Sequence, residues 1–202
     1  MGRASLILTT LAGAGAGAVI TWGVMTHAGK PAPVPPPAHA GMVDPGDWLL
    51  EPGTTMEGIF QDGAMLLLEE PDQVTLHEPS DQPPGDAPDA IVHDGHAFQP
   101  VGKDAMVDPL LLRTARSISA YRAISMCEFK PAVLLRFTQG DRHLDLLFCF
   151  SCHDMLAFLD GKPCGGAGMS RDGDRSFAYH FQRLLPENAV LKAVVEARRE
   201  AF

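Results

Sequence analysis

Between Ala132 and Gly161 three apolar runs alternate with turn signals. Ala132–Phe137 (AVLLRF) is followed by Gln139-Gly140-Asp141, then His143–Phe150 (HLDLLFCF), then Met155–Leu159, which ends at Asp160-Gly161. Short apolar runs spaced by such turns specify neighbouring antiparallel strands. If the turn at 139–142 sets the register, residues whose numbers sum to about 281 should face one another. No other stretch limits the fold as strongly.

Around this centre the patterning is mixed. Asp108–Tyr121 reads as a helix: Asp108 can cap it, Pro109 suits its first turn, and Leu111, Leu112, Ala115, Ile118 and Ser119 share a face. Ser176–Leu185 and Glu187–Arg199 read as two helices broken at Pro186, with Leu184, Leu185, Val190, Leu191, Val194 and Val195 as their buried positions. Ala64–Glu70 and Gln73–His77 are expected as short strands, with a further strand at Ala97–Val101. Asp44–Gly63 is turn-rich, and Glu78–Gly95, with its prolines, reads as an exposed loop. The predicted class is α+β: a small antiparallel β-meander with helices packed on one face, preceded by an N-terminal hydrophobic helix.

The N-terminal segment sets the expected address. Leu6–Met25 is uncharged and comes after Arg3. About 20 such residues can cross a bilayer as a helix, and a basic N-terminal flank exports the remainder of the chain. A cleaved signal peptide is the rival reading, with Thr26-His27-Ala28 as a small-residue cleavage site. The Pro-rich linker PAPVPPPAHA would hold itself extended as a spacer. The expected organisation is a signal or anchor over 1–28, a linker over 29–42, and one extracytoplasmic domain over 43–202. That domain would be periplasmic or at the cell surface, and secreted if the leader is cleaved.

The chain carries 16 basic and 25 acidic residues, net −9. The imbalance sits in Asp44–Asp108, where Lys103 is the sole base. An acidic surface repels nucleic acid and anionic lipid, so neither is an expected partner. The remaining partner classes are an envelope protein or a small ligand, with the N-terminal helix in the membrane if it is uncleaved.

Four cysteines, Cys127, Cys149, Cys152 and Cys164, cluster in the second half, and Cys149-Phe150-Ser151-Cys152 is a CxxC. Outside the cytoplasm such a set reads first as disulfide bridges. The antiparallel register brings Cys152 near Phe129, so Cys127–Cys152 is the preferred pair, with Cys164 free or bonded to Cys149. Two alternatives remain. A CxxC at a strand–helix junction would suit thiol–disulfide exchange, with Cys152 opening a helix HDMLAFLD. A metal would take Cys149 and Cys152 with two of Cys127, Cys164 and His153. No cofactor is expected, and no catalytic residue is assigned.

Other motifs have plain readings. His93-Asp94-Gly95-His96 is read as a surface turn ahead of a metal site. Asp172-Gly173-Asp174 lacks the distal glutamate of a calcium loop and reads as a turn before a helix capped by Ser176. Ser151 sits in no nucleophile elbow, and no phosphate loop or dinucleotide fingerprint is present.

The order of these pieces resembles a family of small bacterial exported or lipoprotein-like proteins of unassigned role. The likeness covers roughly residues 66–195. It rests on Leu68–Leu76 (LEEPDQVTL), Phe98–Gly102, Val107–Arg113, the C-x-F-x-P strand from Cys127 to Pro131, Leu146–Cys152 (LLFCFSC) and Leu184-Leu185-Pro186. The resemblance implies an α+β domain and supplies no catalytic residues. Cys164 stands outside that pattern, and the leader lacks a cysteine for lipid attachment. The expected function is therefore a non-enzymatic extracytoplasmic module with a structural cysteine bridge, with redox and metal roles as the alternatives.

Overall fold

A computed structural model describes residues 50–61, 63–81, 90–102, 107–125 and 127–199. The expected leader, the linker and residues 82–89 of the proline-rich loop lie outside them. No helix among the described residues is long and apolar enough to cross a membrane.

The fold is α+β. Eight strands form one antiparallel sheet: β1 (Gln73–Pro79), β2 (Ile91–His93), β3 (His96–Pro100), β4 (Tyr121–Arg122), β5 (Val133–Gln139), β6 (Arg142–Cys149), β7 (Asp154–Leu159) and β8 (Lys162–Met169). Their spatial order is β2-β3-β1-β5-β6-β7-β8-β4. The helices are α1 (Met56–Ile59), α2 (Ala64–Glu69), α3 (Pro109–Ala115), α4 (Arg171–Leu184) and α5 (Ala189–Arg199). Strands β5 to β8 form the meander, and the β5–β6 register is the expected one, with Val133 opposite Phe148 and Leu135 opposite Leu146.

Alternation along the strands builds two cores. Val133, Leu135, Phe137, Leu144, Leu146 and Phe148 join Leu67, Leu68, Leu111, Phe177, Phe181 and Leu191 of the helices. Phe148 sits 4.8 Å from the Phe177 ring and 5.0 Å from that of Phe181. On the opposite face, Leu134 and Leu147 pack with Phe158 and with Phe98 of β3. The sheet curls enough for its edge strand to reach back over this face. His93 of β2 stacks on Phe158 of β7 at 4.2 Å and bonds Asp145 of β6 at 2.7 Å.

Several sequence expectations need correction. Ala64–Glu69 is helical; a six-residue apolar run carries no period that separates helix from strand. The segment read as an exposed loop contains β2, joined to β3 by a turn with Asp94 and Gly95 at positive φ. Helix α4 begins at Arg171, capped by Ser170 Oγ on the Gly173 N–H at 3.1 Å. Asp172-Gly173-Asp174 is thus the first turn of that helix and Ser176 lies inside it. Gly173 is needed there because a Cβ would meet the Ala120 backbone. Helix α3 ends at Ala115, leaving Ile118 exposed, and Val190 of α5 is exposed as well. The Asp108 cap is present, accepting from Leu110 N at 2.9 Å. Met155–Leu159 is strand, so Cys152 opens no helix and the CxxC turns one β-strand into the next.

Candidate functional site: a thiol pair at the β6–β7 turn

Strand β6 ends at Cys149, the chain turns through Phe150–His153, and β7 starts at Asp154, which pairs with Cys149. His153 takes a left-handed backbone, φ 57°, which lets four residues reverse the chain. The turn has two sides. Phe150 packs edge-to-face on Phe181 among the helices, whereas Cys149 shares the strand face of Leu147 and Asp145.

The sulfurs meet on that face. Cys152 Sγ donates to Cys149 Sγ at 2.8 Å. Cys149 Sγ also accepts the Lys130 N–H at 3.2 Å and lies 3.2 Å from Ser151 Oγ. Lys130 arrives there because the segment entering β5 runs beside β6, with Ala132 N bonded to Phe148 O at 2.8 Å. The same segment carries Cys127. Its Sγ, the Cys152 Sγ and an Asp154 carboxylate oxygen all lie within 4.8 Å of one another. Ser125 secures the far side: its N–H bonds Asp154 Oδ1 at 3.0 Å, and its hydroxyl lies 2.7 Å from Asp154 Oδ2 and 2.8 Å from the Cys152 carbonyl.

The two paired thiols are electrically unequal. Burial acts to raise the Cys149 pKa. Bonds from Cys152 Sγ, Ser151 Oγ and the Lys130 and Cys152 N–H groups outweigh it and bring that pKa below an ordinary thiol's. Cys152 is pushed far up by burial, by its bonds to Cys149 and Cys127, and by the Cys149 and Asp154 charges. Cys149 is therefore the more acidic thiol of the pair, and Cys152 the one that holds its proton more tightly. Access is unequal too. Cys149 is fully buried, Cys152 is 5% exposed, and Cys127 is open to solvent.

The fourth cysteine is elsewhere. Cys164 lies at the irregularity between β7 and β8, within the helix-side core, and burial raises its thiol to about 11. It sits two strands from Cys149 and several residues further along, on the order of 15 Å away at about 4.8 Å per strand and 3.3 Å per residue. A disulfide spans at most about 7 Å between Cα atoms. No sulfur pair among the described residues is bonded, and the shortest approach is Cys149–Cys152, with Cys127 beside Cys152.

His153, weighed from the sequence as a metal ligand, turns to the helices. Its Nδ1 is 3.2 Å from Asp174 Oδ1, and Arg198 of α5 bonds Asp174 Oδ2 at 2.6 Å. Arg198 also lies over the Phe150 ring, 5.7 Å from its centroid. The CxxC turn is thus latched to the first turn of α4 and the end of α5. The oxygen donor beside the sulfurs is Asp154, which sequence reasoning did not single out. Its signal was available: a carboxylate directly after a CxxC and before an apolar strand must find partners when buried.

A second polar cluster lies on the same sheet face. Arg136 bonds both oxygens of the fully buried Asp145, at 2.6 and 2.7 Å, and His93 takes the third contact. Burial would raise the Asp145 pKa, but the bonds and charges of Arg136 and His93 outweigh it and hold it low. His77 bonds Thr75 through Nε2 at 2.9 Å, and its buried Nδ1 has no hydrogen-bond partner among the described residues. Burial and then the Arg136 charge press its pKa to about 4, against the opposing pull of Asp145. The His93–His96 motif therefore is a turn, as expected, with one histidine recruited into the fold's interior.

No family model, no curated protein and no solved structure matches the chain.

Proposed function

We propose that the chain is an exported domain, tethered or secreted, serving as a binding and structural module whose state is set by a reversible Cys149–Cys152 disulfide. The observation that carries this reading is the 2.8 Å contact in which Cys152 Sγ donates to Cys149 Sγ. Two thiolates on one tetrahedral zinc, with Zn–S near 2.3 Å, sit roughly 3.7 Å apart. The sulfurs here are closer than joint ligation sets them, and an oxidant has only to join them. Export rests on the apolar Leu6–Met25 segment and its proline spacer, and the likeness to exported bacterial proteins belongs to the same proposal. Helices α4 and α5 hold the turn through Asp174 and Arg198, so oxidation of the pair is felt by the elements that frame it.

A second reading has its own observation. Cys127, Cys152 and Asp154 place three ligand atoms within 4.8 Å, a spacing a metal ion can span.

Intact mass with and without alkylation, across a series of thiol–disulfide buffers, separates the two. The expected oxidised form has lost two hydrogens, keeps Cys127 and Cys164 alkylatable after denaturation, and maps its bridge to Cys149–Cys152. Four alkylatable thiols in oxidising buffer, with one zinc per chain, would overturn the disulfide reading in favour of the metal one.

A further inference from the structure

We propose that Cys127 is the entry thiol through which a small-molecule disulfide reaches the buried pair, so that the three sulfurs act as a relay with Cys152 at its centre. This rests on the reading that Cys149 and Cys152 interconvert between dithiol and disulfide. Three observations carry it. Cys127 is the exposed sulfur of the cluster, while Cys149 is fully buried and Cys152 nearly so. Cys152 Sγ touches Cys149 Sγ at 2.8 Å and has Cys127 Sγ within 4.8 Å. Cys164, in the opposite core, takes no part.

The chemistry balances over three exchanges. Cys127 thiolate attacks one sulfur of a disulfide RSSR; the S–S bond breaks and the first RS⁻ leaves, taking up the proton that Cys127 lost. Cys152 Sγ then attacks Cys127 Sγ, forming a Cys127–Cys152 bond and releasing the second RS⁻. The Cys152 proton passes through solvent to the released RS⁻, completing the second RSH. Cys149 Sγ finally attacks Cys152 Sγ. The Cys149–Cys152 bond forms, and Cys127 departs as a thiolate that accepts the proton Cys149 gives up. One disulfide is reduced to two thiols, and two protein thiols are oxidised, with two electrons and two protons transferred.

The test uses the reduced full chain and cystamine, with acid quenching and mass readout over time. The native chain should end with a Cys149–Cys152 bridge and Cys127 free. Cys127→Ser should reach the same bridge at least tenfold more slowly. Cys149→Ser should stop at a Cys127–Cys152 bridge. A Cys127→Ser chain oxidised at the native rate would overturn the relay and leave the reversible pair standing. So would a Cys149→Ser chain that holds cystamine on Cys127 without resolving it. Should the native chain never form the Cys149–Cys152 bridge, the underlying reading itself fails. Cys127 is exposed, so its substitution leaves the core untouched, and Cys127→Ala serves as the second variant.

Discussion

Asp145 sits at the middle of a central strand with no exposed surface, and its charge is tolerated because Arg136 and His93 saturate it. His77 of β1 lies near the same cluster, where burial and then the Arg136 charge deny it a proton against the pull of Asp145. In the unfolded chain this imidazole protonates near pH 6.5, in the folded chain at about 4. The unfolded chain therefore binds more protons between those values, and stability falls as pH drops through that window. The loss should reach on the order of 3 kcal/mol by about pH 4. Asp145, whose folded pKa is depressed, acts below that window. Its contribution is whole above the unfolded carboxylate value of 3.8 and is lost as pH falls through the folded one. Urea unfolding of the reduced protein from about pH 7 down to about 4.5 should show the first stage in the native chain and not in His77→Leu. An equal decline in both would remove His77 as its source.

Among the elements, the latch between the CxxC turn and the helices gives the sharpest expectation. Arg198→Ala leaves the Asp174 carboxylate buried beside His153 without its cation. Breaking a buried pair costs roughly 3–5 kcal/mol, and the low end applies because Arg198 retains some solvent contact. Hydrogen exchange should quicken along α5, and alkylation of Cys149 should accelerate. Unchanged exchange in α5 would show that the latch holds nothing. Whether an element was legible from sequence depended on the kind of signal it carried. The β5–β6 register was readable because Gln139-Gly140-Asp141 fixes the turn and the apolar alternation fixes the faces. Strand β8 (KPCGGAGM) escaped notice because its glycines carry no side-chain pattern. They are there for a tertiary reason: a Cβ on Gly165 would strike the Ile59 carbonyl, and one on Gly168 that of Ala123. The three-sulfur site was half legible. Register arithmetic brought Cys127 toward Cys152, but the direct Cys149–Cys152 contact depends on the left-handed His153, which has no signature in a non-glycine residue.

For the molecule as a whole, the choice of bridge decides how much oxidation can stabilise the fold. A Cys149–Cys152 bond closes a ring of about four residues and constrains the unfolded chain by only about 2 kcal/mol. A Cys127–Cys152 bond would close about 25 residues and give about 3.5 kcal/mol. Reduction should therefore lower the urea midpoint by the smaller amount, and a loss at the larger value would assign the long-loop pair as the resting bridge. The outer strands of the sheet bear on a different matter. They are β2, with three residues, and β4, with two. Margins that short offer few unsatisfied amides to a neighbouring molecule, so the sheet has little purchase for self-templated stacking into fibrils. Cutting away β2 would bare the longer β3, and with it a ready nucleus for such growth.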